Sequence, residues 1–355
     1  MLRSTRIHSV LVLFIVSLWS QSVKAQSIIY VDASASGANN GTSWADAYVE
    51  LQPALIDAAM GAEIRVAAGT YRPDYDSQSG TYTDDRAATF QLKNGVSIYG
   101  GFPPGGGPWA NRDPVGYETV LTGDIGVTGE PTDNSYHVVN SGDTGSSTKL
   151  DGVTISNGYG GDYPNHAGAG LYNYSGSPTI VECTFRDNTV EGYGHSGGAI
   201  YSYNSLGRPT IENCHFINNR AYGGGAVVCP AAEITDCVFR ENVAEHNNGA
   251  LSAGAKVKVR RCVFIRNTAG HGGGAAGIGS GKDTQFKSCL FYGNQALTGS
   301  GGAIDMSNSP TTITLINSVF VGNTAYRYGG AISLEGESKI INSTFVKNCA
   351  GMGGG

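Results

Sequence analysis

Four histidines share one place in a recurring frame. His166, His195, His246 and His271 each stand two residues ahead of a glycine-rich unit, and Tyr222 holds that place in the intervening segment. Neutral imidazoles one repeat apart could hold a transition-metal ion; the same spacing also suits turn residues that face solvent. Tyrosines form a second set. Tyr172-Asn-Tyr174 and Tyr201-Ser-Tyr203 directly follow two glycine-rich units, so in register they form a two-by-two patch. A phenol joins an apolar ring to a polar tip, which suits sugars or protein partners, and it also suits ordinary β-surface packing. Asp84-Asp85 is the one adjacent acid pair and falls in a predicted loop, where a solvated turn is its simplest role.

These residues are placed by a repeat, and repeats of 20–50 residues decide a fold before anything else does. Seven segments read [Cys/Ser]-x-Phe-x-x-Asn. Five begin with Cys183, Cys214, Cys237, Cys262 and Cys289, and two with Ser318 and Ser343. Their Phe-to-Phe spacings are 31, 23, 25, 27, 29 and 25 residues. Between them recurs Gly-Gly-Ala-[Ile/Val/Ala], beginning at Gly197, Gly224, Gly273, Gly301 and Gly329, with looser copies at Gly168 and Asn248. The 53 glycines among 355 residues disfavour helical repeats, because glycine costs backbone entropy in a helix interior. Leucine-rich and calcium-binding nonapeptide frames are absent. A parallel β-helix with one coil per repeat remains, an all-β solenoid.

The coil follows from parity. Apolar residues lie five before each Phe (Ile180, Ile211, Ile234, Val259, Phe286, Leu315, Ile340), and Cys or Ser lies two before it. A flat strand alternates with period two, so inward places at −5, −2 and 0 need one parity break. The polar residue at −3 (Glu182, Asn213, Asp236, Arg261, Ser288, Asn317, Asn342) is where a tight, left-handed bend is expected. Stacked about 4.8 Å apart, Asn188, Asn219, Asn242, Asn267, Asn294, Asn323 and Asn348 are expected to hydrogen-bond as a structural ladder. Five cysteines then share one inward column as small apolar groups. Free buried thiols are the expectation, since stacked parallel side chains sit wider than a disulfide prefers. Cys229 and Cys349 lie outside the column, and their disulfide state is open.

The first 25 residues read as a secretory signal peptide. Arg3 and Arg6 precede the apolar run Val10–Trp19, and Val23-Lys24-Ala25 offers a cleavage site. The run is too short for a membrane helix, and no membrane span is expected in this chain. Removing this leader lowers the formal charge from −6 to −9, which speaks against nucleic acid as a partner. Residues 26–160 read as an N-terminal cap with irregular coils. Ser43 is expected to cap a helix from about Trp44 to Ala59 that covers the open end of the solenoid. Strands are expected at Ile28–Val31, Glu63–Ala67, Val96–Tyr99, Thr119–Leu121, Tyr136–Val139 and Leu150–Ile155, with longer loops at Arg72–Ala88 and Gly101–Tyr117. Residues 161–355 read as regular repeats. The chain stops at Gly353-Gly354-Gly355, inside what reads as another glycine unit, so truncation at the C-terminus is expected.

Tandem Gly-Gly-Ala-[Ile/Leu/Val] alternating with Phe-x-x-Asn over roughly 168–355 resembles the chlamydial polymorphic outer-membrane proteins. The N-terminal stretch, with Tyr30-Val31-Asp32, Val66-Ala67-Ala68-Gly69-Thr70-Tyr71, Tyr99-Gly100-Gly101-Phe102 and Leu121-Thr122-Gly123-Asp124-Ile125, resembles large secreted β-helix proteins of environmental bacteria. The resemblance implies a right-handed parallel β-helix exported to the cell surface, with adhesion as its role. The competing function is a polysaccharide lyase or glycoside hydrolase acting on acidic glycans. Gly270-His271-Gly272 is similar to a polygalacturonase motif, but Asn-Thr-Asp and Arg-Ile-Lys are missing. Arg208-Pro209 is similar to a lyase arginine, without the Trp-Ile-Asp-His signature. The sequence therefore reads as an adhesin-like binding and structural module for glycans or surface proteins. Its candidate ligand residues are Tyr172, Tyr174, Tyr201 and Tyr203; no catalytic residue or cofactor is assigned, and the oligomeric state is left open.

Overall fold

A computed structural model describes residues 27–161, 167–204, 206–279, 284–306 and 312–355. The predicted leader and His166 lie outside the described residues. Among the described residues, three all-parallel sheets of 18, 10 and 8 strands stack along the axis, the third beginning only at Tyr159–Gly160, and one short antiparallel pair, Tyr75–Asp76 with Thr81–Tyr82, decorates a loop.

One coil shows how the sequence turns corners. The chain runs through Ile200–Ser202 and Thr210–Glu212 in the large sheet, then His215–Ile217 in the second sheet and Arg220–Gly223 in the third. All seven residues at the −3 place have φ between 46° and 56°. A left-handed residue there resets the alternation, so Cys and Phe both point inward. A second left-handed corner follows each Phe by two residues, at Asp187, Asn218, Glu241, Arg266, Gly293, Gly322 and Lys347. It aims the next residue, Asn, into the core.

The core is a set of columns. Phenylalanine rings from Phe185 to Phe345 stack at centroid distances of 4.6–5.2 Å, within 12° of parallel. Irregular coils join the same column through Tyr71, Leu121 and Ile155. The column cysteines are buried and free. Each thiol donates to the carbonyl two residues earlier, as Cys237 does to Thr235 at 3.2 Å. Ser318 donates to Ile316 at 3.0 Å in the same way, so the Cys-to-Ser exchange keeps both size and donor. Burial pushes the Cys289 thiol up to about 11 and Cys229 up to about 12.

The glycine pair does two different jobs. Gly301 takes φ +68°, while a Cβ on Gly302 would stand 2.0 Å from the carbonyl oxygen of Gly330 in the next coil. The first glycine turns the chain, and the second lets adjacent coils touch through backbone.

Three local expectations need correction. The helix spans Leu51–Asp57 rather than Trp44–Ala59, and Glu50, not Ser43, is its N-cap. Tyr48 is drawn instead into a parallel bridge with Val31, and the Ser43 hydroxyl bonds Asp46 in a local turn. The shortened helix still buries Leu51, Ala54 and Leu55 in the core beside Val31 and Ile64 of the first coils. Leu150–Ile155 is two strands, Lys149–Asp151 and Thr154–Ser156, because Gly152 (φ 68°) occupies the −3 corner. Tyr136–Val139 yields only Val139–Asn140.

Candidate functional site

The tyrosine face is built by two adjacent strands of the large sheet. Leu171–Asn173 pairs with Ile200–Ser202, placing Tyr172 beside Tyr201. Inward, the buried Asn173 accepts from Ser141 Oγ at 2.6 Å and donates to Ser202 Oγ at 3.1 Å. This small polar column fixes the strands whose outward residues are tyrosines. Tyr172 and Tyr201 rings stack at 6.2 Å and 12°, and Tyr174 and Tyr203 at 5.3 Å and 10°. His137 extends the first stack, 5.1 Å from Tyr172. Tyr174 and Tyr203 are 48% and 55% exposed, so these two are open to a partner. Partial burial, followed by neighbouring phenols, raises the Tyr172 hydroxyl above its ordinary range; Tyr201 rises for the same leading reason. Each stacked pair covers one face of each of its rings. What the patch offers outward includes ring edges and a double row of hydroxyls, each able to donate and accept.

Of the histidines in this frame, the structure describes His195, His246 and His271. His246 and His271 stack at 5.3 Å and 7°, and Tyr222 stacks on His246 at 5.2 Å and 6°. The ring that meets Tyr222 from the preceding coil belongs to Tyr193, at 4.8 Å, not to His195. The His195 ring turns to the carbonyl of Glu191. Imidazole lone pairs lie in the ring plane, so two stacked rings point theirs in parallel and do not converge on one ion. Among the described residues no group of three His, Cys, Asp or Glu side chains is placed to hold a metal. Asp84 pairs with Arg72 at 3.0 Å, and Asp85 accepts from the Ala87 amide at 2.9 Å, both serving their loop.

The asparagine side chains lie end to end inside the second left-handed corner. Each Nδ2 donates to the next Oδ1, at 3.1 Å from Asn188 to Asn219 and 2.8 Å from Asn323 to Asn348, with the intermediate bonds at 2.9–3.0 Å. The same Oδ1 atoms accept backbone amides of the preceding coil, as Asn242 N does to Asn267. Each remaining amide hydrogen reaches a carbonyl, such as Phe216 O for Asn242.

The profile described as "Right handed beta helix region" matches residues 136–320, just over half of the sequence. The chain belongs to the right-handed β-helix family. Residues 317–335 also match the repeat of the Chlamydia polymorphic membrane proteins, a coarse pointer to surface proteins. A solved structure titled "Crystal structure of pectate lyase Pel9A" aligns with a TM-score of 0.50 at 16% identity, over 93% of this chain and 79% of that one. At that identity the likeness concerns the fold. A comparison with curated proteins returned no match.

This β-helix also carries an ionic cluster that its repeat does not announce. Arg112, from the Gly101–Tyr117 loop, pairs with Asp151 and lies 3.5 Å from Glu182, with Lys149 3.9 Å from Asp151. Its guanidinium also lies 5.4 Å from the Trp109 ring and 5.8 Å from that of Tyr99. Burial raises the Asp151 carboxyl above its ordinary range despite Arg112. The partners lie 39 residues apart, which no local pattern reveals. Arg112 is only 10% exposed and is engaged on every side, so the cluster straps the loop to the sheet.

Proposed function

We propose that the chain is an exported, surface-associated β-helix whose tyrosine face binds glycans or surface proteins. The observation that carries this reading is the double row at Tyr172–Tyr201 and Tyr174–Tyr203, beside a buried polar column, with Tyr172 and Tyr201 partly buried and Tyr174 and Tyr203 exposed. The family match and the chlamydial-type repeat support a surface role. The rigid, coil-by-coil spacing presents hydroxyls already ordered, so little entropy is lost on binding. A glycan array and a panel of surface proteins test it, comparing wild type with Tyr172→Ala/Tyr201→Ala. The proposal expects at least one ligand whose binding the double variant abolishes; ligands bound equally by both proteins sink it.

The second reading is an enzyme acting on acidic glycans. The Arg112, Lys149, Asp151 and Glu182 cluster is the observation that favours it. Against it, the guanidinium that would meet a uronate is buried and already paired.

A further inference from the structure

One short segment concentrates positive charge in a chain of formal charge −6. Lys256-Val257-Lys258-Val259-Arg260-Arg261 alternates cation and valine before its last residue. Alternation of this kind is that of a strand. Val257 and Val259 are fully buried in the core, so Lys256, Lys258 and Arg260 stand on the outward face of the large sheet. The next coil adds a fourth cation there, because Lys287 pairs directly with Arg260, and Gln285 with Lys258. Lys256 and Lys287 are exposed, and Lys258 and Arg260 are partly so.

Carboxylates neutralise only part of this set. Glu233 lies 3.7 Å from Lys258, and Asp236 takes Arg261 at the adjoining corner, at 2.6 Å. Among the described residues, neither Arg260 nor Lys287 has an acid partner. Their neighbours along the row are Thr235 before and Ile316 after, and Glu212 stands two coils from Arg260. Like charges directly opposite on adjacent strands destabilise a sheet, so the fold alone gives no reason to set a guanidinium beside an ammonium. An anion that bridges them turns that repulsion into binding.

We infer that Arg260 and Lys287 form a binding site for a phosphate monoester, with Lys256 and Lys258 widening the positive field around it. The planar fork of Arg260 donates to two phosphate oxygens, and the ammonium of Lys287 donates to the third. A monoester carries a charge of about −1.5 to −2 near neutral pH, which matches the two uncommitted cations. A carboxylate has one charge and two oxygens, which the Arg260 fork saturates by itself, so a uronate leaves Lys287 unused. Soluble esters and phosphorylated lipid headgroups present the same group, and the test separates them. The site lies two coils beyond the tyrosine rows, since Tyr201 adjoins Val228, and Val228 adjoins Ser252 of the strand that carries Arg260. It stands or falls separately from them.

The folded chain is melted in glycerol 3-phosphate and in sodium chloride of the same ionic strength, and is sedimented with phosphatidylcholine vesicles made with and without phosphatidic acid. At least one phosphate probe engages: glycerol 3-phosphate raises the unfolding temperature above the chloride control, or phosphatidic acid draws the chain onto vesicles. A response to glycerol 3-phosphate alone assigns a soluble ester, and a response to the vesicles assigns a lipid headgroup. Arg260→Gln/Lys287→Gln weakens that binding by about tenfold or more. In chloride this variant unfolds no lower than wild type, because the repulsion is gone. Lys287→Glu gives Arg260 an acid partner and abolishes the response as well. Tyr174→Ala/Tyr203→Ala leaves it unchanged. The inference is overturned if neither phosphate probe engages, if both charge variants respond like wild type, or if hexagalacturonate binds as tightly as the phosphate probe.

Discussion

At the residue scale, stability rests on side chains that serve two coils at once. The Asn242 side chain accepts from both the backbone and the side chain of Asn219, and donates to Phe216 O and to Asn267. Asn242→Ala removes those bonds and leaves buried groups unpaired, at a cost of about 3 kcal/mol; denaturant unfolding measures it. Thiol reactivity reports the neighbouring column. Cys349 is the exposed cysteine and the other six are buried, so in the native state a soluble disulfide reagent labels Cys349 alone, and labels the rest only after denaturation. The inward roles of Asn, Cys and Phe were legible because each recurs at fixed spacing. The Tyr193–Tyr222 contact was not, because loop length lets a tyrosine from outside the frame reach the stack that His195 was expected to join.

At the element scale, corners do the specifying. The −3 bend could be read from parity alone, whatever residue stood there, and it accommodates even Arg261 and Glu182. The +2 bend could not, since Asp, Asn, Glu, Arg, Gly and Lys share the place and only the backbone marks it. The capping helix was overextended because Tyr48 and Leu55 fit a helical face, while the edge of Ile28–Val31 offered Tyr48 backbone partners that a helix would have denied. Glycine positions separate the two costs. Gly302→Ala drives a Cβ into the Gly330 carbonyl, whereas Gly322 (φ +62°) has open space around it. Gly322→Ala is expected to cost about 1 kcal/mol, the left-handed penalty alone, and Gly302→Ala clearly more. Thermal unfolding of the two variants side by side checks the order.

At the scale of the molecule, ten strands stacked in the second sheet make an axis of about 43 Å, with the tyrosine rows on an outward face and the Phe, Cys and Asn columns in the core. The hydrophobic columns explain why the coils stack; the loops at Arg72–Ala88 and Gly101–Tyr117 explain why the early coils carry walls. Family membership was visible in the repeat, but the strap from Arg112 to Asp151 arises only once distant coils are adjacent. In the proposed role, tyrosine hydroxyls rather than ring faces hold the ligand. Its most direct measurement is the affinity of the strongest array ligand for wild type and for Tyr174→Phe/Tyr203→Phe, which keeps both rings and removes both hydroxyls. The expected result is a loss of about tenfold or more with unchanged unfolding temperature. Full affinity in the phenylalanine pair would contradict it.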